Sequence, residues 1–267
     1  MCILVILRRP DHPCWPLLIG ANRDEMRHRP WALPGAHWVD QPDILGGLDR
    51  IGQGTWLALS RWGVVATVLN RTGTLGGQPG KRSRGALPLL ALEGRTAREA
   101  VERLVTRVDP GGYQACNLVV ADRRDAFWIV LDPERSGSGG MAVAEVPGGI
   151  SILSSGDLND TAQVRSAAHL PRFREAPIPR PEVGDWSGWR ALLGNREPVV
   201  AGQQNSAMCF QLASGFGTVS SSLIALSGDG GVGRWLFAPG SPDVTDHTPV
   251  SGMAAWGANP APHPGIR

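Results

Sequence analysis

The chain has 267 residues and a mass of 28.4 kDa, with 42% apolar and 19% charged residues, enough apolar material for a sizeable core and a composition that excludes general disorder. The length fits one large domain or two small ones. The formal net charge of +2 is spread over scattered arginines, with Lys81 the one lysine, and no basic stripe marks a nucleic-acid binder.

The first seven residues are apolar but run directly into Arg8, Arg9 and Pro10, which puts the charge on the wrong side for a secretory signal. No stretch approaches the apolar length of a membrane span, so a cytoplasmic protein without a membrane span is expected. Two β-rich runs, 3–7 and 15–21, flank a proline-containing loop and read as paired strands. A second hairpin is expected over 54–60 and 63–70. Then come a short helix over 84–92 and a longer one over 96–108, where Thr96 and Glu99 form a capping box and apolar residues recur with a 3.6 period. Strands are predicted at 115–121, 126–131, 142–146 and 150–153. Helices follow at 161–174, capped by Asn159 and Asp160, and at 186–193. Strands resume at 207–212, 218–226 and 233–238, and the proline-rich tail 259–267 is expected to be mobile. Blocks of strands alternating with blocks of helices fit an α+β layered fold better than a parallel doubly wound one.

Ten tryptophans against the single Tyr113 read as large apolar residues filling a core and its rim. Cys2, Cys14, Cys116 and Cys209 show no CxxC spacing, which argues against a structural zinc site or a redox pair and suits a reducing compartment. Position sets Cys2 apart. If Met1 is removed, one residue carries both a thiol and a free α-amine, whose ordinary pKa values of about 8.5 and about 7.7–8.0 let each serve the other near neutral pH. An N-terminal nucleophile supplies its own general base. The alternative reading of Cys2, a small hydrophobe opening a buried strand, stands beside it.

The second feature is the run Asn22-Arg23-Asp24-Glu25 after the second apolar run. If the strand persists, Asn22 and Asp24 face one side and Arg23 and Glu25 the other, so all four reach Cys2 only if the strand ends or bulges. Pro30 and Pro34 favour an early end.

With these residues the chain resembles the NRDE family, also called the transport and Golgi organisation 2 family. The resemblance is carried by the Met-Cys start, the Asn-Arg-Asp-Glu tetrad, Gly52-Gln-Gly-Thr-Trp-Leu57, Ala66-Thr-Val-Leu-Asn-Arg71, Ser83-Arg-Gly85, Asn117-Leu-Val-Val120 and Gly217-Thr-Val-Ser-Ser221, in that order over roughly 1–238. It implies a four-layer αββα sandwich of the N-terminal-nucleophile hydrolase type, with one domain over 1–258. By that resemblance Cys2 is the nucleophile of an amidohydrolase acting on non-peptide C–N bonds of a small molecule. Asp24 holds the amine or orients the thiol, Arg23 lowers the thiol pKa and holds an acidic substrate group, and Asn70 is an oxyanion donor or, equally, a turn cap. Asn22, Glu25, Asn117 and Ser220 are the implied binding residues; no cofactor or metal is called for. Three departures stand out: Arg23 and Asp24 are adjacent, Leu153-Ser-Ser-Gly156 lacks an Asn donor, and Val219 stands where Arg is common. The resemblance also carries a non-catalytic alternative, a carrier of haem or of an acyl lipid or acyl-coenzyme A, although the six His show no paired spacing that favours haem ligation.

Overall fold

The computed structural model describes residues 2–135, 139–231 and 233–256; the tail 259–267 lies outside them. Two antiparallel sheets organise the chain. The first is built from β1 (Ile3–Arg8), β2 (Leu17–Met26), β10 (Gly149–Leu153), β11 (Phe216–Leu226), β12 (Arg234–Ala238) and β13 (Thr248–Pro249), in the order β10-β1-β2-β11-β12-β13. The second is a meander of seven consecutive strands: β3 (Trp31–Gly35), β4 (Ile44–Asp49), β5 (Leu57–Ser60), β6 (Val65–Asn70), β7 (Cys116–Ala121), β8 (Ala126–Leu131) and β9 (Met141–Glu145).

Alternation along the strands explains the layering. Leu4, Ile6, Leu17 and Ile19 point to the inter-sheet core, where they meet Leu57, Leu59, Val65 and Val119 of the second sheet. Their neighbours Ile3, Val5, Leu7 and Leu18 point the other way, onto Leu170, Phe173, Trp186 and Trp189. These belong to α3 (Val164–Glu175) and α4 (Ser187–Leu193) or their flanks. The outer face of the second sheet packs against α1 (Ala86–Ala91) and α2 (Ala97–Arg107) through Leu87, Ala97, Ala100 and Leu104. The result is a four-layer αββα sandwich. No helix among the described residues is long and apolar enough to cross a membrane.

Most predicted elements are present within a few residues. The α2 cap forms as expected, with Thr96 Oγ1 accepting from Glu99 N–H at 3.1 Å, although the Glu99 carboxylate reaches back to Arg95 N–H rather than to its own cap. Three expectations are corrected. Residues 207–212 form no strand, only a bridge from Gln211 to Gly217; Met208 and Cys209 are buried instead, Met208 in the cluster under the helical layer. Helix α3 begins at Val164, and Asn159 and Asp160 do not cap it: Asn159 takes positive φ and bonds back to Ile152, while Asp160 accepts from Ala162 N–H. Finally, β2 does not stop before the tetrad but runs through it to Met26. The strands β3, β4 and β13 were not foreseen, because prolines and paired glycines obscure their alternation.

Candidate active site

Because β2 continues, its tetrad is divided between two faces. Asn22 and Asp24 turn toward the helical layer. Asn22 Nδ2 donates to the carbonyls of Leu193 (2.9 Å) and Met208 (3.0 Å). The Asp24 carboxylate, fully buried, accepts from Arg165 Nη1 of α3 at 2.7 Å and from Thr218 Oγ1 of β11 at 2.7 Å. Arg165 uses its second nitrogen on Met208 O at 2.8 Å, so one guanidinium ties strand, helix and buried loop together.

Arg23 and Glu25 turn the other way, toward Cys2. The Arg23 guanidinium lies over the Trp56 ring at 3.9 Å and near Trp31 at 5.9 Å. It is 5% exposed, its Nη1 has no hydrogen-bond partner among the described residues, and its nearest carboxylate oxygen is Asp49 Oδ2 at 3.9 Å. Burial pulls its pKa down, against the opposing pull of Cys2, Glu25 and Asp49. Glu25 and Asp49 share Arg29, at 3.7 and 2.8 Å. For Asp49 burial pushes the carboxyl up, but the Gly52 N–H and Arg29 outweigh it and leave the pKa below the ordinary range.

Cys2 is partly buried, and the main chain of Asp24 brackets its sulfur: the Asp24 N–H donates to Sγ at 3.4 Å and the thiol faces Asp24 O at 3.7 Å. Burial, followed by the Asp24 charge, raises the thiol pKa; the nearby Arg23 works against them. Such a thiol is protonated at neutral pH and needs a base before it can attack. Cys2, Arg23, Asp24, Glu25 and Asn70 all line one cleft of about 300 Å³. The Asn70 side chain makes no hydrogen bond among the described residues, which leaves its amide available to a ligand. Beneath the cleft, Cys2, Arg23 and Ser220 also border a chamber of about 20 Å³, large enough for one water molecule. The buried Ser220 hydroxyl has no partner there.

Asn117 sits apart from this cleft. It is fully buried, accepts from Arg71 Nη1 (2.7 Å) and Trp128 Nε1 (3.2 Å), and donates to the carbonyls of Ser154 and Gly156. It joins β7 to the turn after β10 rather than facing a ligand. Three contributors escaped sequence reasoning: Trp56, Thr218 and Arg165. For Arg165 a signal existed, since 165, 169 and 173 are spaced at i, i+4 and i+8 and all three are buried, which places a cation on the packed stripe of its helix.

A profile of the family described as Transport and Golgi organisation 2 matches residues 1–175. The chain belongs to that family. A search of curated proteins returns no match. Among solved structures, an N-acylethanolamine-hydrolyzing acid amidase ortholog from Caenorhabditis elegans is similar over 96% of this chain and 96% of its own, at 11% identity and a TM-score of 0.54. Two variants of conjugated bile acid hydrolase from Clostridium perfringens are similar at 12% and 13% identity, each with a TM-score of 0.51, over 94% and 93% of this chain and 97% and 96% of theirs. The likeness gives this Transport and Golgi organisation 2 family member the fold of the N-terminal-nucleophile hydrolases.

Proposed function

We propose that the protein is an N-terminal cysteine amidohydrolase that cleaves a C–N bond of a small-molecule amide. The observation that carries this reading is the setting of Cys2: its sulfur is held by the Asp24 main chain, beside the partner-poor Arg23 guanidinium, on the floor of a cleft. Removal of Met1 frees the α-amine. The amine takes the thiol proton, the sulfur attacks the carbonyl carbon, and the oxyanion is met by the Asn70 amide. The proton then passes to the leaving amine as the C–N bond breaks, and water hydrolyses the remaining thioester. Arg23 favours the thiolate and offers Nη1 to an oxygen of the substrate. The amidases of similar fold support the choice of bond class.

The test is twofold. Intact-mass analysis is expected to show Cys2 as the first residue of the purified protein. A panel of N-acyl amides is then assayed with the parent and with Cys2→Ala; turnover is expected only in the parent. Retention of Met1 throughout the preparation, or equal turnover by the variant, refutes the proposal.

A further inference from the structure

The charges around the cleft are unevenly matched. Five cations line it, Arg23, Arg29, Lys81, Arg82 and Arg84, against the two carboxylates Glu25 and Asp49; Asp24 borders it by its main chain, its carboxylate being held by Arg165 behind the sheet. Both cleft carboxylates are already engaged, sharing Arg29. Lys81, Arg82 and Arg84 form no ion pair among the described residues, and a chain whose formal net charge is only +2 thus gathers three uncompensated cations on one wall of its cleft.

That wall is also preorganised. Residues 71–85 contain no helix or strand, yet neutral acceptors pin them in place. Arg84 donates to Thr74 O at 2.8 Å and Gly76 O at 3.0 Å, and Lys81 Nζ donates to Gly111 O at 2.6 Å. The Arg82 guanidinium lies over the Tyr113 ring at 5.4 Å and, among the described residues, none of its five N–H donors has an acceptor; Lys81 keeps two of its three. Positive φ at Gly73, Gly76 and Gly80 turns the main chain so that Gly76, Gly77 and Gln78 also line the cleft. Their N–H groups have no acceptor among the described residues. Main-chain N–H groups in a glycine-rich turn beside unpaired cations are a recurrent cradle for anions.

We propose that this wall seats a negatively charged group, a carboxylate or a phosphate, that the substrate carries away from the bond cleaved. Lys81 and Arg82 supply the charge, and the N–H groups of Gly76, Gly77 and Gln78 supply hydrogen bonds. The link to a cleaved bond rests on the reading of Cys2 as nucleophile; the anion seat itself does not. The substrates in view are therefore acidic amides rather than neutral ones.

Binding tests the seat independently of turnover. Three probes that share the dansyl fluorophore are titrated into the protein: dansylglycine with a carboxylate, dansylated phosphoethanolamine with a phosphate, and neutral dansylglycinamide. At least one anionic probe is expected to bind about tenfold more tightly than the neutral one, equivalent to about 1.4 kcal/mol, with the preference falling as salt is raised. The tighter of the two anionic probes names the group. The Lys81→Gln/Arg82→Gln variant, which changes part-exposed side chains and is expected to keep the parent melting temperature, should lose the preference. Cys2→Ala should keep it, even if no amide is ever hydrolysed. Equal binding of all three probes by the parent, or an undiminished preference in the double variant, overturns the proposal.

Discussion

The buried pair of Asp24 and Arg165 offers a quantitative test of how the tetrad is held. Arg165 is 8% exposed and Asp24 5%, and their charged atoms are 2.7 Å apart. Arg165→Met keeps the unbranched stem of the side chain but removes the guanidinium, which faces the Phe210 ring at 5.3 Å, and with it the cation. Asp24 then keeps Thr218 and loses the charge that compensates its burial, and Met208 O loses a donor. Breaking one side of a buried ion pair costs about 3–5 kcal/mol, which in a chain of this size lowers Tm by about 6–20 °C. Urea denaturation of four proteins measures the effect: parent, Arg165→Met, Asp24→Asn and the double variant. The double variant has no orphaned charge and is expected to recover about 2 kcal/mol or more relative to the sum of the single losses. A loss below about 1 kcal/mol in Arg165→Met, or strict additivity in the cycle, would refute the claim that this pair anchors the tetrad.

Two further predictions concern stability. His169 and His247 are buried, and desolvation pulls both pKa values from the ordinary value down to about 4. The unfolded chain therefore takes up protons first as pH falls: their contribution is complete above about pH 6.5 and is lost between about pH 6.5 and about pH 4, by up to about 3 kcal/mol per histidine. Urea midpoints across that window should fall steeply in the parent and less steeply in His169→Gln/His247→Phe; identical slopes would show that other groups govern the loss. Gly54→Ala is expected to destabilise by about 1–3 kcal/mol, because a Cβ there would lie 2.8 Å from Gly85 Cα and closer still to its carbonyl, where Thr55 N–H now donates to Gly85 O at 2.9 Å. An unchanged urea midpoint would argue against that close approach.

Much of this architecture is legible in the sequence because a 3.6 period marks a helix with one buried face and a short β-rich apolar run marks a strand buried on both. The capping box at Thr96 and Glu99 marks α2, and the apolar runs at 3–7 and 115–121 mark central strands. Legibility fails where burial is decided by distant parts of the chain. Residues 207–210 are apolar because all four are buried, Met208 in the cluster under α3 and α4, and in a single sequence that is indistinguishable from a strand. Glycines at 46 and 47 hide β4: a Cβ at Gly47 would overlap the Trp56 ring, the ring that carries Arg23. At the site, Cys2, Arg23, Asp24 and Asn70 could be nominated from motif and resemblance. For Arg165 the i, i+4, i+8 spacing with His169 and Phe173 offers a signal but not its partner, and the cations of 81–84 could not be nominated, since their importance lies in which partners they lack.

Continuation of β2 divides the tetrad between two faces, and a single inserted residue in the neighbouring strand lets its cross-strand partners follow that division. Asp24 and Arg23 are adjacent and so face opposite layers. Their partners across the sheet, Thr218 and Ser220, are two apart and in a regular strand would share a face. The register shift at Val219 removes that conflict, letting Thr218 meet the Asp24 carboxylate on the helical side while Ser220 stands beside Arg23 in the chamber beneath Cys2. Beyond the bulge Ser222 and Ile224 continue on the inter-sheet side, in step with Ala21 and Ile19. Without the extra residue, one end of β11 would present its apolar and polar residues to the wrong layers. The bulge therefore lets one strand serve both as a wall of the cleft and as a brace for the carboxylate behind it.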